Sequence, residues 1–433
     1  MTDLVNTING IVWSPVLVAM CLCIGLYFSL KLKFFQIRDV KEMFTLLLEG
    51  DSSHVGISSF QGFATSMAGR IGTGNIAGVA VAIAMGGPGA LVWMCIMATL
   101  GSATAFVEST LAQIYKDEHD GQYRGGPPYY FEKGLGWKKC SVLFSIVAII
   151  SYTFFMPGTQ SNTLYLAMNQ AFGFSKMTIA VASSIALAII IFGGMLGSAI
   201  SWGVKRGIYS NEAGEGSGTY GAAAAEVSHP AKQGLVQAFS VYVDTLLICM
   251  ATGIMIVITG MYNVTGVCTA LPGVEPGPQY VQSAINTLHP QLGDIFIAIV
   301  LLLFTFTTLL AFSYMMETNV SYLVTRIKAE KHEKYIINVC RFMLIACAAM
   351  CCFIEPLTSW ALGDICIGVL TYINLIAIFT LKKPAIKAYY DYIRQKKMGI
   401  KRSDRTFNPI ELDIRNAEFW ENRYLKEDKH ELN

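Results

Sequence analysis

The sequence predicts an all-α polytopic membrane protein with about nine crossings plus one broken or re-entrant helix. Three observations carry this prediction. Of 433 residues, 53% are hydrophobic and only 14% charged, whereas soluble domains carry about 25% charged residues. Nine apolar runs recur from end to end, each near the roughly 20 residues a helix needs to cross a bilayer. Two glycine-rich polar stretches interrupt that pattern. The same composition excludes a disulfide scaffold and a disordered chain. A net charge of only +2 argues against a nucleic-acid partner.

The predicted spans, in order, are 11–30, 58–85, 88–114, 141–171, 178–203, 235–262, 295–325, 336–355 and 360–381. The first follows MTDLVNTING, which has no Lys or Arg and so no signal-peptide n-region; it reads as a retained anchor. Lys31, Lys33, Arg38 and Lys41 follow it. Lys116, Arg124, Lys133, Lys138 and Lys139 follow the third span, and Arg326, Lys328, Lys331 and Lys334 the seventh. Segment 262–294 has no basic residue. Basic loops stay inside, so the reading is a multi-pass protein of the plasma (inner) membrane with its N-terminus outside and its C-terminus cytoplasmic. Residues 1–399 form the transmembrane domain, and 400–433 a charged cytoplasmic tail, read as a solvated end with lipid contact as the alternative.

The second span contains AGRIGTGNIAG at 68–78. Its glycines weaken a continuous helix, and backbone freed there must be satisfied by protein, water or ligand. Free N–H groups at a new helix start attract a carboxylate, and free carbonyls at the preceding end attract a cation. Thr73 and Asn75 add a hydroxyl and an amide. The arrangement suits a zwitterion with a sodium ion. A dinucleotide loop is disfavoured because no βαβ unit surrounds the motif; close helix packing is the structural alternative. The second interruption runs from Ser210 to Gly218, within 207–226, which is too polar for a plain span. One broken helix early and another late points to an inverted-repeat transporter with its site near the midplane.

Other polar residues sit within spans. Gln160 and Asn162 follow Pro157-Gly158 and are either substrate hydrogen bonders or helix–helix contacts. Thr305, Thr307, Thr308 and Ser313 dot one span and either ligate Na⁺ or bond back to their own helix. Glu108, Asp244, Glu317 and Asp364 are acidic residues in or near spans, where such groups are usually functional or paired. Trp360 either anchors the last span at the interface or lids the site. The 11 cysteines form no CxxC pair and mostly read as buried apolar residues. All six histidines fall in polar connections, which disfavours a histidine relay in the membrane.

GRIGTGNIAGVAVAIAMGGPGALVWMCIMATLG, GGPPYYFEKGLG at 125–136 and SNEAGEGSGTYGAAAAEVSHPAKQGLV at 210–236 resemble the alanine or glycine:cation symporter family. The resemblance implies two inverted five-helix repeats preceded by one extra helix, no cofactor, and uptake of a small neutral amino acid with Na⁺, or with H⁺ as the alternative ion. It implies substrate contacts at Thr73, Gly74, Asn75, Gln160 and Trp360; the interrupted backbone adds Gly72 and, from the 211–216 backbone, Gly214. A likeness to the sodium-coupled neurotransmitter break implies ion contacts at the carbonyls of Ala68 and Ile71, with Thr307 or Thr308 opposite. Three positions depart from the family pattern. Cys95 follows Trp93-Met94 in place of a tryptophan, and Glu215 stands where an apolar residue is usual. IIIFGG at 189–194 runs directly into MLGSAISWGVKRG, so roughly 50 residues, enough for one crossing and its connections, are absent. The fourth core helix and the first half of the sixth are then expected to fuse into the span 178–203. Rival readings are a non-transporting relic, a channel, for which no repeated filter is visible, and a membrane enzyme, for which no catalytic cluster lies in the spans.

Overall fold

The chain is described here from a computed structural model covering residues 2–49, 55–192 and 212–423. Among the described residues, seven helices are long and apolar enough to cross a membrane: Asp3–Lys31, Ala90–Ile114, Lys138–Phe172, Pro230–Thr259, Leu292–Arg326, Glu330–Cys351 and Thr358–Thr380. The first is jointed at Trp13-Ser14, where Pro15 opens the helix Pro15–Lys31. It therefore begins well before the expected residue 11. The span expected at 178–203 is described as the helix Lys176–Phe192; the expected fusion beyond it lies outside the described residues, as do Ser210 and Asn211.

The span expected at 58–85 is interrupted, as its glycines require. Ser58 caps the first half-helix, Ser59–Arg70, in a capping box: its hydroxyl accepts the Gln61 N–H at 3.2 Å, and its own N–H donates to the Gln61 side chain at 2.9 Å. The helix ends where Ile71 and Gly72 turn extended, a single tight turn covers Thr73–Asn75, and Ala77–Gly86 resumes. The second interruption is a turn at 213–217 leading into Gly218–Ala224. Gly214 and Gly216 adopt φ of +101° and +100° there, a region that side chains with a Cβ rarely enter.

The two broken segments are stitched together at one end. The Ile57 N–H donates to the Ala224 carbonyl at 3.1 Å, and the Glu226 N–H to the Ile57 carbonyl at 2.7 Å. Orphan carbonyls at the end of Gly218–Ala224 are covered by Gln113, which reaches those of Ala222 and Ala225, and by Lys116, whose Nζ reaches Ala225 at 3.0 Å. Helix ends buried without such partners would be costly.

Among the described residues, the basic connections after the first, third and seventh predicted spans gather at this same end. Arg326 pairs with Glu132, Lys133 with Asp117 and Glu418, and Lys396 and Arg405 with Glu42. The segment without basic residues lies at the opposite end, where the Thr265 N–H meets the Ala84 carbonyl at 2.9 Å. The tail is not a free solvated end over 405–423. Phe407, Ile414, Ala417 and Trp420 are buried, and Trp420 Nε1 donates to the Gln113 carbonyl at 2.8 Å. Phe419 and Trp420 also flank the buried Lys116 ammonium. The sequence hides this because the tail's charged residues outnumber its few aromatic anchors.

A pH-sensitive joint sits at the basic end, just before Pro230. The His229 ring accepts the Ala231 N–H at Nδ1 (3.1 Å) and donates from Nε2 to Asp391 (3.2 Å). Burial holds His229 below its ordinary range despite Asp391, and a proton on Nδ1 would break the helix cap. Burial works against ionised Asp391, but hydrogen bonds from His229, Arg394 and Gln395 outweigh it and hold the carboxyl low. Both groups bind fewer protons folded than unfolded, so acidification destabilises the fold. The thermal midpoint in detergent is expected to drop first as pH falls below about 6.5, the unperturbed imidazole value. His229→Asn, which keeps a capping oxygen, is expected to remove that first drop. An unchanged first drop in this variant would contradict the assignment.

Candidate functional site

The interruption at 71–76 is enclosed by three other elements. Leu292–Arg326 brings the Thr308 hydroxyl to 3.3 Å from the Ile71 carbonyl, the last one of the first half-helix. Met156–Phe172 brings the Gln160 Oε1 to 3.2 Å from the Thr73 N–H. The irregular segment Tyr242–Cys249, a wide π-helical turn, brings Asp244 to 2.6 Å and the Cys249 sulfur to 3.1 Å from the Asn75 amide nitrogen. Asn75 also folds back, its Oδ1 accepting the Gly72 N–H at 3.1 Å. Thr73, Asn75, Gln160 and Thr308 are wholly buried.

Glycine at 72 is dictated by crowding. A Cβ there would lie 3.0 Å from both the Gln160 Oε1 and the Thr308 hydroxyl. The site keeps spare capacity: the Thr73 hydroxyl and the Gln160 amide nitrogen have no partner although both are buried. Unsatisfied buried donors of this kind call for a ligand or water. Trp360 faces the resuming helix, its ring 3.6 Å from where a Cβ on Gly78 would stand.

The sequence-predicted residues thus divide. Gly72, Thr73, Asn75, Gln160, Ile71 and Thr308 come together, with Gly74 in the same turn and Trp360 alongside. Thr307 donates to the carbonyls of Leu303 and Phe304 in its own helix, and Ala68 is buried in the last turn of Ser59–Arg70. Gly214 is tied elsewhere: its N–H donates to Glu108 at 3.2 Å, and its carbonyl accepts from Asn374 at 2.9 Å. Asn162 spends its amide on the carbonyls of Cys351 and Ile354, a helix–helix contact. Glu317 pairs with Arg341 at 2.9 Å.

Two residues at the break carried no site role in the sequence reading. Asp244 was visible only as an acid in an apolar run, and its approach to Asn75 depends on tertiary packing. Arg70 lies within the quoted glycine motif yet is completely buried. One of its terminal nitrogens reaches Ser240; Nε and Nη2 have no partner.

Membrane-length helices around two interrupted ones, with buried unpartnered polar groups at the first interruption, are the architecture of a polytopic membrane transporter. Comparison with known proteins specifies the kind. The profile of the sodium:alanine symporter family matches residues 1–196 and 191–406. The chain is 44% identical to the putative sodium/proton-dependent alanine carrier protein YrbD of Bacillus subtilis (strain 168), over 99% of both chains. It is 40% identical to the sodium/proton-dependent alanine carrier protein of Bacillus sp. (strain PS3), over 89% of this chain and 98% of that one. It is 38% identical to the probable sodium/glutamine symporter GlnT of Bacillus subtilis, over 92% of each. The chain belongs to the sodium:alanine symporter family. Its activity is of the amino-acid–cation symport class. The match to YrbD runs over 486 positions against 433 residues here, so roughly 50 positions lack a counterpart, enough for a crossing and its connections. The two family matches meet at 191–196, where the sequence departs from the family pattern.

Proposed function

We propose that this chain carries alanine or glycine into the cell together with Na⁺, by alternating access. The observation that carries this reading is the interrupted helix itself. Its last carbonyl, Ile71, faces the Thr308 hydroxyl, a pair of hard oxygens suited to Na⁺. Two residues on, the Thr73 N–H and hydroxyl and the Gln160 amide suit a carboxylate and its neighbouring ammonium. The crowding of Gln160 and Thr308 around Gly72 favours a small side chain, and Trp360 packs beside Gly78 on the resuming helix. The names of two relatives, both sodium/proton-dependent alanine carriers, support the substrate and the ion. The stitched end, where the basic loops converge, is taken as cytoplasmic, and the membrane as the plasma (inner) membrane.

The test is uptake of labelled alanine and glycine into proteoliposomes, with and without an inward sodium gradient, for the wild type and Asn75→Ala. Gradient-driven accumulation is expected for the wild type. Asn75→Ala loses its bonds to Gly72 and Asp244, and is expected to lower uptake by about tenfold or more, since bonds to charged groups are worth about 1.5–3 kcal/mol. The shortened middle of the chain favours one rival, a relic that binds without transporting; rescue of growth in a strain lacking alanine uptake would dismiss it.

A further inference from the structure

The tail returns across the end where the two interrupted segments are joined, and the residues it grips are those that make the join. Gln113 spends its side chain on the carbonyls of Ala222 and Ala225, and its own carbonyl accepts the Trp420 Nε1–H at 2.8 Å. Lys116 donates to the Ala225 carbonyl at 3.0 Å, and its ammonium lies 4.6 Å and 5.7 Å from the ring centres of Phe419 and Trp420. The Glu226 N–H donates to the Ile57 carbonyl at 2.7 Å. Its carboxylate accepts from the Arg423 guanidinium at 2.7 Å and from the Tyr123 hydroxyl at 2.9 Å.

The tail is fastened at its start as well. The Arg405 carbonyl accepts the Ser228 hydroxyl at 2.7 Å, and the Arg405 guanidinium pairs with Glu42 at 2.9 Å. The Phe407 ring packs edge-on against His229, with ring centres 5.2 Å apart. Further along, Asn416 donates to the Lys133 carbonyl at 2.9 Å, and Lys133 pairs with Glu418 at 3.0 Å. The tail thereby ties together the end of Ala90–Ile114, the helix Pro127–Leu135 and the residues after Gly218–Ala224.

These contacts bear on the join itself. Lys116 is wholly buried, and a buried ammonium is costly unless something replaces its water. The faces of Tyr123, Phe419 and Trp420 do so here, by attraction between a cation and an aromatic ring, and the tail supplies two of them. Without the tail, water would reach Lys116 and Gln113 and compete for the Ala222 and Ala225 carbonyls. Alternating access moves one helix set against the other. At this end such a movement has to part Ile57 from Ala224 and Glu226, and the grip on Gln113, Lys116 and Glu226 opposes it.

We propose that residues 405–423 are a strap that holds the two interrupted segments together, and that its release is a step of the transport cycle. This rests on the symport reading above and on the cytoplasmic placement of this end. The strap then favours the form that receives alanine from outside. Apparent affinity scales with the fraction of protein in the binding-competent form, so loosening the strap weakens apparent affinity for external alanine.

The test compares the full-length wild type with Trp420→Ala and Trp420→Phe. Amide hydrogen exchange is measured on the purified proteins, and labelled alanine uptake in sodium medium on cells lacking their own alanine uptake. In Trp420→Ala, exchange at Ile57 and Glu226 is expected to quicken about tenfold, because local opening sets its rate. The apparent KM for external alanine is expected to rise about tenfold. Trp420→Phe keeps a ring beside Lys116 and loses only the bond to Gln113, so both effects are expected to be intermediate; it carries the same comparison if Trp420→Ala fails to fold. A tail that merely packs would, when damaged, leave fewer active molecules, lowering the maximal rate with KM unchanged. Faster exchange with an unchanged KM, or unchanged exchange, would therefore overturn the strap and leave symport standing. No uptake by the wild type would instead remove the symport reading, and the exchange rates alone would then decide whether the tail holds the join.

Discussion

Gly72→Ala is expected to abolish sodium-stimulated amino-acid uptake in a protein that still inserts and folds. The added methyl would sit 3.0 Å from the Gln160 Oε1 and 3.0 Å from the Thr308 hydroxyl, so both side chains must move. Gln160 faces the Thr73 N–H and Thr308 the Ile71 carbonyl, so one substitution disturbs the proposed substrate and ion contacts together. Overpacking of a buried site costs about 1–3 kcal/mol, which corresponds to about tenfold to a hundredfold in affinity. Because two linked sites are affected, the loss in transport is expected at the upper end. Alanine binding and sodium dependence should be measured separately on the purified variant. Normal affinities for both would show that the crowded turn is not where they bind.

Arg70→Met, at the end of the first half-helix where its guanidinium packs against Gly218, is expected to damage the fold strongly. It leaves Glu108, Glu212 and Glu215, on which its charge acts, buried with no positive charge among them. Removing one partner of a buried charged set costs about 3–5 kcal/mol. The thermal midpoint in detergent should fall sharply and expression should drop. The double variant Arg70→Met/Glu108→Gln removes one of the stranded charges and is expected to recover about half of the lost stability, since neighbouring groups couple strongly. Additive losses in the double variant would mean that Arg70 and Glu108 do not share a charge network.

Much of the architecture was legible because the bilayer imposes length and polarity on every crossing. The glycines of 68–78 marked the first interruption, and the basic loops marked one common end. Residues at the break itself were legible too: Thr73 and Asn75 are short polar side chains at a backbone interruption, where only function or tight local bonding retains them. Gln160 and Asn162 were readable only as a pair with two possible roles, and packing separates their places: Gln160 meets the Thr73 N–H, while Asn162 is consumed by Cys351 and Ile354. Gly214 looked equivalent to the first-break glycines, yet its backbone serves Glu108 and Asn374, contacts across 106 and 160 positions that no local pattern encodes. Arg70 was concealed for a similar reason. A single basic residue in a glycine motif does not reveal that it is buried and reaches Ser240 and the Gln237 carbonyl, about 170 positions away. The packed tail depends on Trp420 finding the Gln113 carbonyl, again a long-range match invisible to composition.

The central claim is that an interrupted helix holds a cation at its carbonyl end and a carboxylate at its amide end, so that each ligand strengthens the other. Equilibrium binding of labelled alanine to the purified protein in sodium and in choline tests this most directly. Reciprocal coupling between two sites typically amounts to about 5–150-fold, so alanine affinity is expected to rise by at least about fivefold in sodium, with a matching rise in sodium affinity when alanine is present. Equal alanine affinity in the two media would contradict the account.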